Sequence, residues 1–309
     1  MKNKNILVFG STGFIGRSIT KRLLQNGDKL ICPVRNASRV KRNILSGDIG
    51  QIEVIEFDIN NLDEIKSLIE KSDLVINLIG ILYEQNNLSF ELAHYLLPKK
   101  IASYCELFKK PLIHVSSLGS TFLTKSNYLI SKKMGEEFIE NNNTNHIIIR
   151  PSTVYGEEDN FINLFASIAR FSPGLPVFGC SLFPKFALFS KGKTLDLDFF
   201  GEGGTKFQPV YVGDVIKAIA KCLELGTADG NTYELGGPRV LSTKELMQMI
   251  LGAIGRRRLL IPTPFWYLTL VASFLELLPR PLITKDQVRS LREDNVVSSN
   301  VLVLEDLEI

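Results

Sequence analysis

A glycine-rich turn closes the first apolar run of this chain and limits what it can fold into more than any other feature. Asn5–Phe9 reads as a strand, Gly10-Ser11-Thr12-Gly13-Phe14-Ile15-Gly16 follows it, and a helix-period segment spans Gly13–Gln25. A G-x-x-G-x-x-G turn between strand and helix lets the backbone curve tightly and approach a pyrophosphate. The helix's free N–H groups and dipole favour that charge. Gly10, Thr12, Gly13, Phe14, Ile15 and Gly16 are therefore candidate nucleotide contacts. The bland alternative is a tight turn that only packs helix on strand.

Further strands are expected at Lys29–Val34, Ile52–Phe57, Leu74–Leu78, Leu112–Ser116 and His146–Arg150. Helices alternate with them at Leu62–Lys71, Ser89–Phe108 and Asn127–Glu140, and one more is expected at Phe161–Arg170. Each parallel crossover needs a helix to return the chain, so this alternation predicts an α/β fold. The expected architecture is a Rossmann-like doubly wound parallel sheet with a smaller C-terminal cap domain. Residues 1–160 with 205–226 form the nucleotide-binding part, and residues 161–204 with 227–309 the substrate, cap or interaction region. A last strand at Gln208–Val212 and a helix at Asp214–Leu225 are expected to rejoin the sheet. Pro98 should kink the third helix, because it removes a backbone donor and clashes with the preceding turn.

Composition narrows the function classes. With 309 residues, 45% hydrophobic, 22% charged and 13 prolines, the chain is neither disordered nor collagenous. Lys plus Arg number 36 against 33 Asp plus Glu, too even a balance for a nucleic-acid binder that works by phosphate neutralisation. Cys32, Cys105, Cys180 and Cys222 stand far apart, with neither zinc-ligand spacing nor a disulfide framework, as in a reducing compartment. No targeting segment is visible, and the longest apolar run, Pro264 to Leu278, carries Glu276 and falls short of the ~18–20 residues that cross a bilayer. A cytoplasmic protein is expected, free or peripheral to the inner membrane.

The second strand ends Pro33-Val34-Arg35-Asn36, where dinucleotide folds place the acid that holds the ribose 2′-hydroxyl. No carboxylate stands there. Arg35 could fork onto a 2′-phosphate, so NADP(H) is preferred and NAD(H) admitted; Arg39, Lys41 and Arg42 follow, and the alternative is an Arg35 that faces solvent. Asp58, beside Ile59, is placed either to accept from the adenine amino group or to N-cap the next helix.

Tyr128 and Lys132 lie four residues apart, on one helix face. The ammonium is expected to favour the phenolate and lower the tyrosine pKa, making Tyr128 a proton donor and acceptor near neutrality. Ser116 and Ser117 end the preceding strand, within reach of a substrate oxygen. Cys105, Cys222, His94, His114 and His146 show no metal or nucleophile spacing and are read as core or surface residues.

This constellation resembles the extended or atypical short-chain dehydrogenase/reductase superfamily, over almost the whole chain. The matching elements are the glycine turn, Asp58, Asn77-Leu78-Ile79-Gly80, Ser117, Tyr128 with Lys132, and Arg150-Pro151-Ser152. Segments 75–82, 114–119, 150–163, 207–215 and 278–288 are similar to the nucleotide-binding accessory subunit of respiratory complex I and its bacterial relatives. The resemblance implies that Gly10, Gly13 and Gly16 hold pyrophosphate, that Leu78 and Gly80 line the adenosine side, and that Tyr128 and Lys132 hold the nicotinamide ribose. In active members the tyrosine shuttles a proton and the serine, here Ser117, positions the substrate oxygen while hydride passes to or from the nicotinamide. Members that serve as subunits keep the nucleotide as a bound structural element, with complex I or another membrane-associated protein as partner. A module that senses the cofactor's redox state is a third, weaker reading. Two departures stand out: an insertion of SLFPKFALFSKGKTLDLDFF between Gly179 and Gly201, and an end at Ile309 where relatives often continue, so that the function of such a tail is expected to be absent or reduced.

Pro264 opens an apolar helical stretch, FWYLTLVASFLELL, preceded by Arg256-Arg257-Arg258 and followed by Arg280. It suits either a helix lying in a lipid interface, with arginines at anionic headgroups, or one buried against the cap. Burial is the expectation taken, and peripheral membrane contact through 264–278 the alternative.

Overall fold

The computed structural model describes residues 4–40, 47–85, 88–121, 123–142, 145–180, 185–188, 195–198, 200–225, 230–279, 281–299, 301–307 and 309. In chain order the first elements are β1 (Asn5–Phe9), α1 (Phe14–Gln25), β2 (Lys29–Val34), α2 (Ala37–Val40), β3 (Ile52–Glu56), α3 (Ile65–Lys71), β4 (Leu74–Asn77), α4 (Leu97–Phe108), β5 (Leu112–Val115), α5 (Asn127–Asn142) and β6 (His146–Pro151). There follow β7 (Val154–Tyr155), α6 (Ile162–Phe171), β8 (Gly174–Phe178), β9 (Lys185–Leu188), β10 (Leu195–Asp198), β11 (Lys206–Phe207), β12 (Val210–Tyr211) and α7 (Val212–Leu225). The chain ends with β13 (Thr232–Leu235), β14 (Leu241–Ser242), α8 (Thr243–Ala253), β15 (Leu259–Thr263), α9 (Phe265–Leu275) and α10 (Lys285–Ser290).

Seven strands form one sheet in the order β13-β6-β5-β4-β1-β2-β3. Every pairing in it is parallel. Successive side chains of a strand point to opposite faces. Accordingly Ile6 and Val8 of β1 join one core with α1 and α7, while Leu7 and Phe9 join another with α3 and α4. A third core, built on Phe165, Phe178, Phe207, Leu246 and Val288, sits in the second lobe. The doubly wound fold with a smaller cap is thus observed.

Four details depart from the sequence reading. The seventh strand is Thr232–Leu235; Val210–Tyr211 pairs only with Val154–Tyr155, outside the main sheet. Leu302, Leu304 and Leu307 also pack on the sheet's core, so parts of 227–309 belong physically to the first lobe. Pro98 leaves the helical run unbroken: a π-helical turn at Leu92–Leu96 passes directly into α4, and the wider turn makes room for the ring. The apolar helix α9 is not buried, since only Leu268 and Ala272 of it are. Trp266 is 62% exposed and Phe274 67%, because the other faces of α9 meet no packed element among the described residues. Of the insertion after Gly179, residues 185–188 and 195–198 form the antiparallel pair β9–β10 and Phe200 packs against the third core; residues 181–184, 189–194 and 199, and Lys41, Arg42 and Arg280, lie outside the described residues.

Candidate functional site

From β1 the chain winds outward through β2 and β3, then returns to place β4 on the other side of β1. The crevice at such a reversal is where open α/β sheets take ligands. Gly10 stands at its mouth with φ +79°, and a Cβ there would come within 3.0 Å of the Leu78 carbonyl carbon. A Cβ at Gly16 would lie 2.0 Å from the Gly10 carbonyl oxygen, so the turn closes only without one. Gly13 donates its amide to Gly10 at 3.0 Å and starts α1. Among the described residues no side chain caps that helix end, and no acid occupies its first turn. The positive end of the dipole is therefore left for an anion, and a pyrophosphate fits this cradle.

Along the crevice, Leu78 donates its amide to Phe9 (3.0 Å). A Cβ at Gly80 would lie 3.1 Å from Lys132 Nζ and 3.9 Å from His94 Nε2. Lys132 Nζ donates to the Val115 carbonyl at 3.4 Å, and the Ser117 side chain lies near enough to the Tyr128 phenol to act on its pKa. The fold thus brings Gly10, Leu78, Gly80, Lys132, Tyr128 and Ser117 to one crevice. Burial raises the Tyr128 pKa against the lowering effect of the Ser117 side chain. The expected lowering by Lys132 is not what governs it. Lys132 itself is pushed down to about 8 by burial, although the nearby Glu136 carboxylate favours its charge.

His94, which no sequence signal singled out, joins the two halves of this crevice. Its Nε2 accepts from the Ile81 amide (3.0 Å), which leaves Nδ1 as the donor to Ser131 Oγ (2.9 Å). Ser131 in turn donates to the Tyr128 carbonyl at 2.9 Å. The imidazole stacks on Phe90 and meets the Tyr128 ring edge-on, with centroids 5.5 and 5.3 Å away. Burial, then the Lys132 charge, lowers its pKa to about 2, so it is neutral. Asn77 Nδ2 donates to His114 Nδ1 at 3.1 Å while its Oδ1 accepts from the Ile79 amide at 3.2 Å. Beneath α5, Arg150 binds the fully buried Glu136 at 2.7 Å and reaches Glu140 and Glu234 at 3.6 Å each.

Arg35 and Asp58 lie apart from this lining, at the ends of adjacent strands joined by the Phe57 amide on the Val34 carbonyl (2.9 Å). Both are exposed. Asp58 does not cap the next helix, where Asn61 holds the N-cap position. It accepts instead from the amide and side chain of Asn60, at 3.0 and 2.8 Å, and the backbone bond holds its pKa below the usual carboxylate range. Ile59 is buried in the core, which leaves only its backbone at the rim. Thr12 offers its carbonyl to Arg17 (3.0 Å), Phe14 packs beside Gly156, and Ile15 packs on the core. Arg17 also pairs with Glu158 across the opening of α1.

A model of the NAD dependent epimerase/dehydratase family matches residues 6–236. The mitochondrial NADH dehydrogenase (ubiquinone) 1 alpha subcomplex subunit 9 of Arabidopsis thaliana is 34% identical, over 98% of this chain and 73% of its own. Among solved structures, dTDP-glucose 4,6-dehydratase from Bacillus anthracis, in complex with NAD, superposes with a TM-score of 0.61 at 21% identity over 84% of each chain. The dTDP-4-dehydrorhamnose reductase of the same organism, in complex with NADP, gives 0.59 at 15% identity, over 100% of this chain and 97% of its own. At these identities the two structures establish likeness of fold.

Proposed function

The chain belongs to the NAD dependent epimerase/dehydratase family, and from that premise we propose that it is a nucleotide-binding subunit or assembly-type protein of a respiratory complex I. The similarity of nearly the whole chain to a complex I subunit is the observation that carries this reading. In it a nicotinamide dinucleotide is held tightly and stabilises the fold by mass action rather than being consumed. The amides of the Gly10–Gly16 turn bind the pyrophosphate, Leu78 and Gly80 line the adenosine side, and Tyr128 and Lys132 hold the nicotinamide ribose. Asp58 and the Ile59 backbone stand at the adenine rim. NADP(H) is the preferred form, because Arg35 is the residue at the end of β2 and no carboxylate occupies its place.

Peripheral contact with the inner membrane is part of the proposal. Trp266, Tyr267, Leu270 and Phe274 are 47–67% exposed on α9, and Arg256 and Arg257 are exposed before β15. Rings at headgroup depth with arginines on anionic lipid are a workable interface. No helix among the described residues is long and apolar enough to cross a membrane.

Mass spectrometry of gently purified protein tests the cofactor: a retained dinucleotide is expected, with no turnover on broad carbonyl and sugar-nucleotide panels. A pull-down from membranes should recover complex I subunits. If no dinucleotide is retained, and calorimetry on the nucleotide-free protein detects no heat with either NADPH or NADH, the reading is overturned.

The Ser117 side chain near the Tyr128 phenol, one helical turn from Lys132, supports a second reading as an active oxidoreductase or epimerase. A bound nicotinamide would supply the hydride chemistry. Ser117 would then orient a substrate oxygen, Tyr128 give or take the proton at its hydroxyl, and Lys132 hold the ribose. Tyr128→Phe should abolish any turnover while leaving cofactor affinity nearly intact.

A further inference from the structure

Helix α5 carries both Tyr128 and Lys132, and its first turn is closed by a residue from the far end of the chain. Asp286 Oδ1 accepts from the Asn127 amide (2.7 Å), and its Oδ2 accepts from the Tyr128 amide (3.0 Å) and the Ser126 hydroxyl (2.8 Å). These first amides are the ones a helix cannot satisfy within itself, and a carboxylate there meets the positive end of the dipole. The first turn of α5 holds no acid of its own, and among the described residues the one amide that Ser126 Oγ accepts from is that of Leu129, at 3.4 Å.

Asp286 is itself fastened. Thr284 and Gln287 close a capping box at the start of α10, and Val288 is fully buried in the core of the second lobe. Arg289 lies 3.7 Å from the Asp286 carboxylate. Glu276, just past α9, takes the Lys285 amide at 2.5 Å and its ammonium at 3.1 Å. An unbroken line of contacts therefore runs from the exposed helix α9, through Glu276 and Lys285, to Asp286 and the backbone of Tyr128.

We infer that Asp286 is a positioning residue of the nucleotide pocket: it holds Tyr128 and Lys132 in register with Ser117 and Gly80, so that the nicotinamide half is complete only when the C-terminal segment is seated. The inference rests on the dinucleotide reading above. The adenosine and pyrophosphate half stands on β1, α1, β2 and β4, and among the described residues no hydrogen bond or ion pair joins these elements to Asp286. The two halves should therefore respond differently to its loss, which a general loosening of the fold would not produce.

The experiment compares wild type, Asp286→Ala and Asp286→Asn for binding of NADPH, NADH and ADP, with hydrogen exchange of the nucleotide-free proteins alongside. Asp286→Ala should weaken whichever dinucleotide binds best by about tenfold and leave ADP within about twofold. Asp286→Asn, which keeps an acceptor oxygen, should recover part of the loss. Unchanged dinucleotide affinity, or equal losses for dinucleotide and ADP, overturns the inference. If wild type binds no dinucleotide, the nucleotide reading itself fails and exchange decides. Protection lost at 127–132 alone in the Ala variant supports positioning of Tyr128 by Asp286, and unchanged protection refutes it.

Discussion

The carbonyl oxygen of His94 occupies the space that a side chain at Gly135 would need: a Cβ there would sit 2.1 Å from it. Pro98, four residues after His94, has no N–H to offer that carbonyl, so it turns out of its own helix toward α5. Helix α5 can approach that closely only through a residue without a side chain.

A glycine inside a helix ordinarily costs roughly 0.5–1 kcal/mol against alanine. Here the sign should reverse. Gly135→Ala is expected to destabilise the protein by about 1–3 kcal/mol, the usual range for overpacking. Gly252→Ala, in α8 with nothing within 4 Å of the added carbon, should be neutral or stabilising. Urea unfolding of the two variants settles it, and a stabilised Gly135→Ala protein would contradict the geometry.

Gly16→Ala should remove binding of NADPH, NADH and ADP together. The added carbon would sit 2.0 Å from the Gly10 carbonyl oxygen and so force the cradle open. Titration calorimetry on a variant that keeps the wild-type circular dichroism is the measurement, and retained ADP binding would sink the phosphate assignment.

Lys132 titrates at about 8 instead of 10.5 because it is buried. Below about pH 8 it is charged in both folded and unfolded chains, and above 10.5 it is neutral in both. Between those values the folded chain has lost a proton that the unfolded chain still binds, so this group adds stability as pH rises. The nucleotide-free protein should therefore gain stability over that window relative to Lys132→Met. Dinucleotide affinity should move the other way, falling as the ammonium is lost above about pH 8 while ADP affinity stays level.

His94 and His114 carry pKa values lowered from 6.5 to about 2 and about 3 by burial. The unfolded chain takes up these protons below pH 6.5 and the folded chain does not. Their contribution is thus complete above pH 6.5 and lost as pH falls toward about 3, with a slope of ~1.4 kcal/mol per pH unit for each. His114→Phe should lower stability at pH 7 yet flatten this acid slope, as read from urea midpoints between pH 4 and 7. An unchanged slope would mean that His114 is protonated in the folded protein.

The glycine turn and the Tyr128–Lys132 pair were legible because both are local patterns: a strand end, a tight turn and the four-residue repeat of a helix. The seventh strand was misplaced because Gln208–Val212 and Thr232–Leu235 are both short apolar-leaning runs, and only pairing partners distinguish them. Helix α9 reads as buried by composition, yet exposure depends on what packs against it.

Residues 5–9 and 10–16 dictate by themselves that a strand runs into an open-ended helix, since backbone freedom and free amides are properties of the segment alone. Whether that helix end faces a finished pocket was decided by the fold. Tertiary packing brought Gly80 to Lys132, set His94 between Ile81 and Ser131, and delivered the Asp286 carboxylate to Tyr128 across 158 residues. Such contacts depend on how the sheet is ordered and how the second lobe folds back over it, and no local periodicity encodes either.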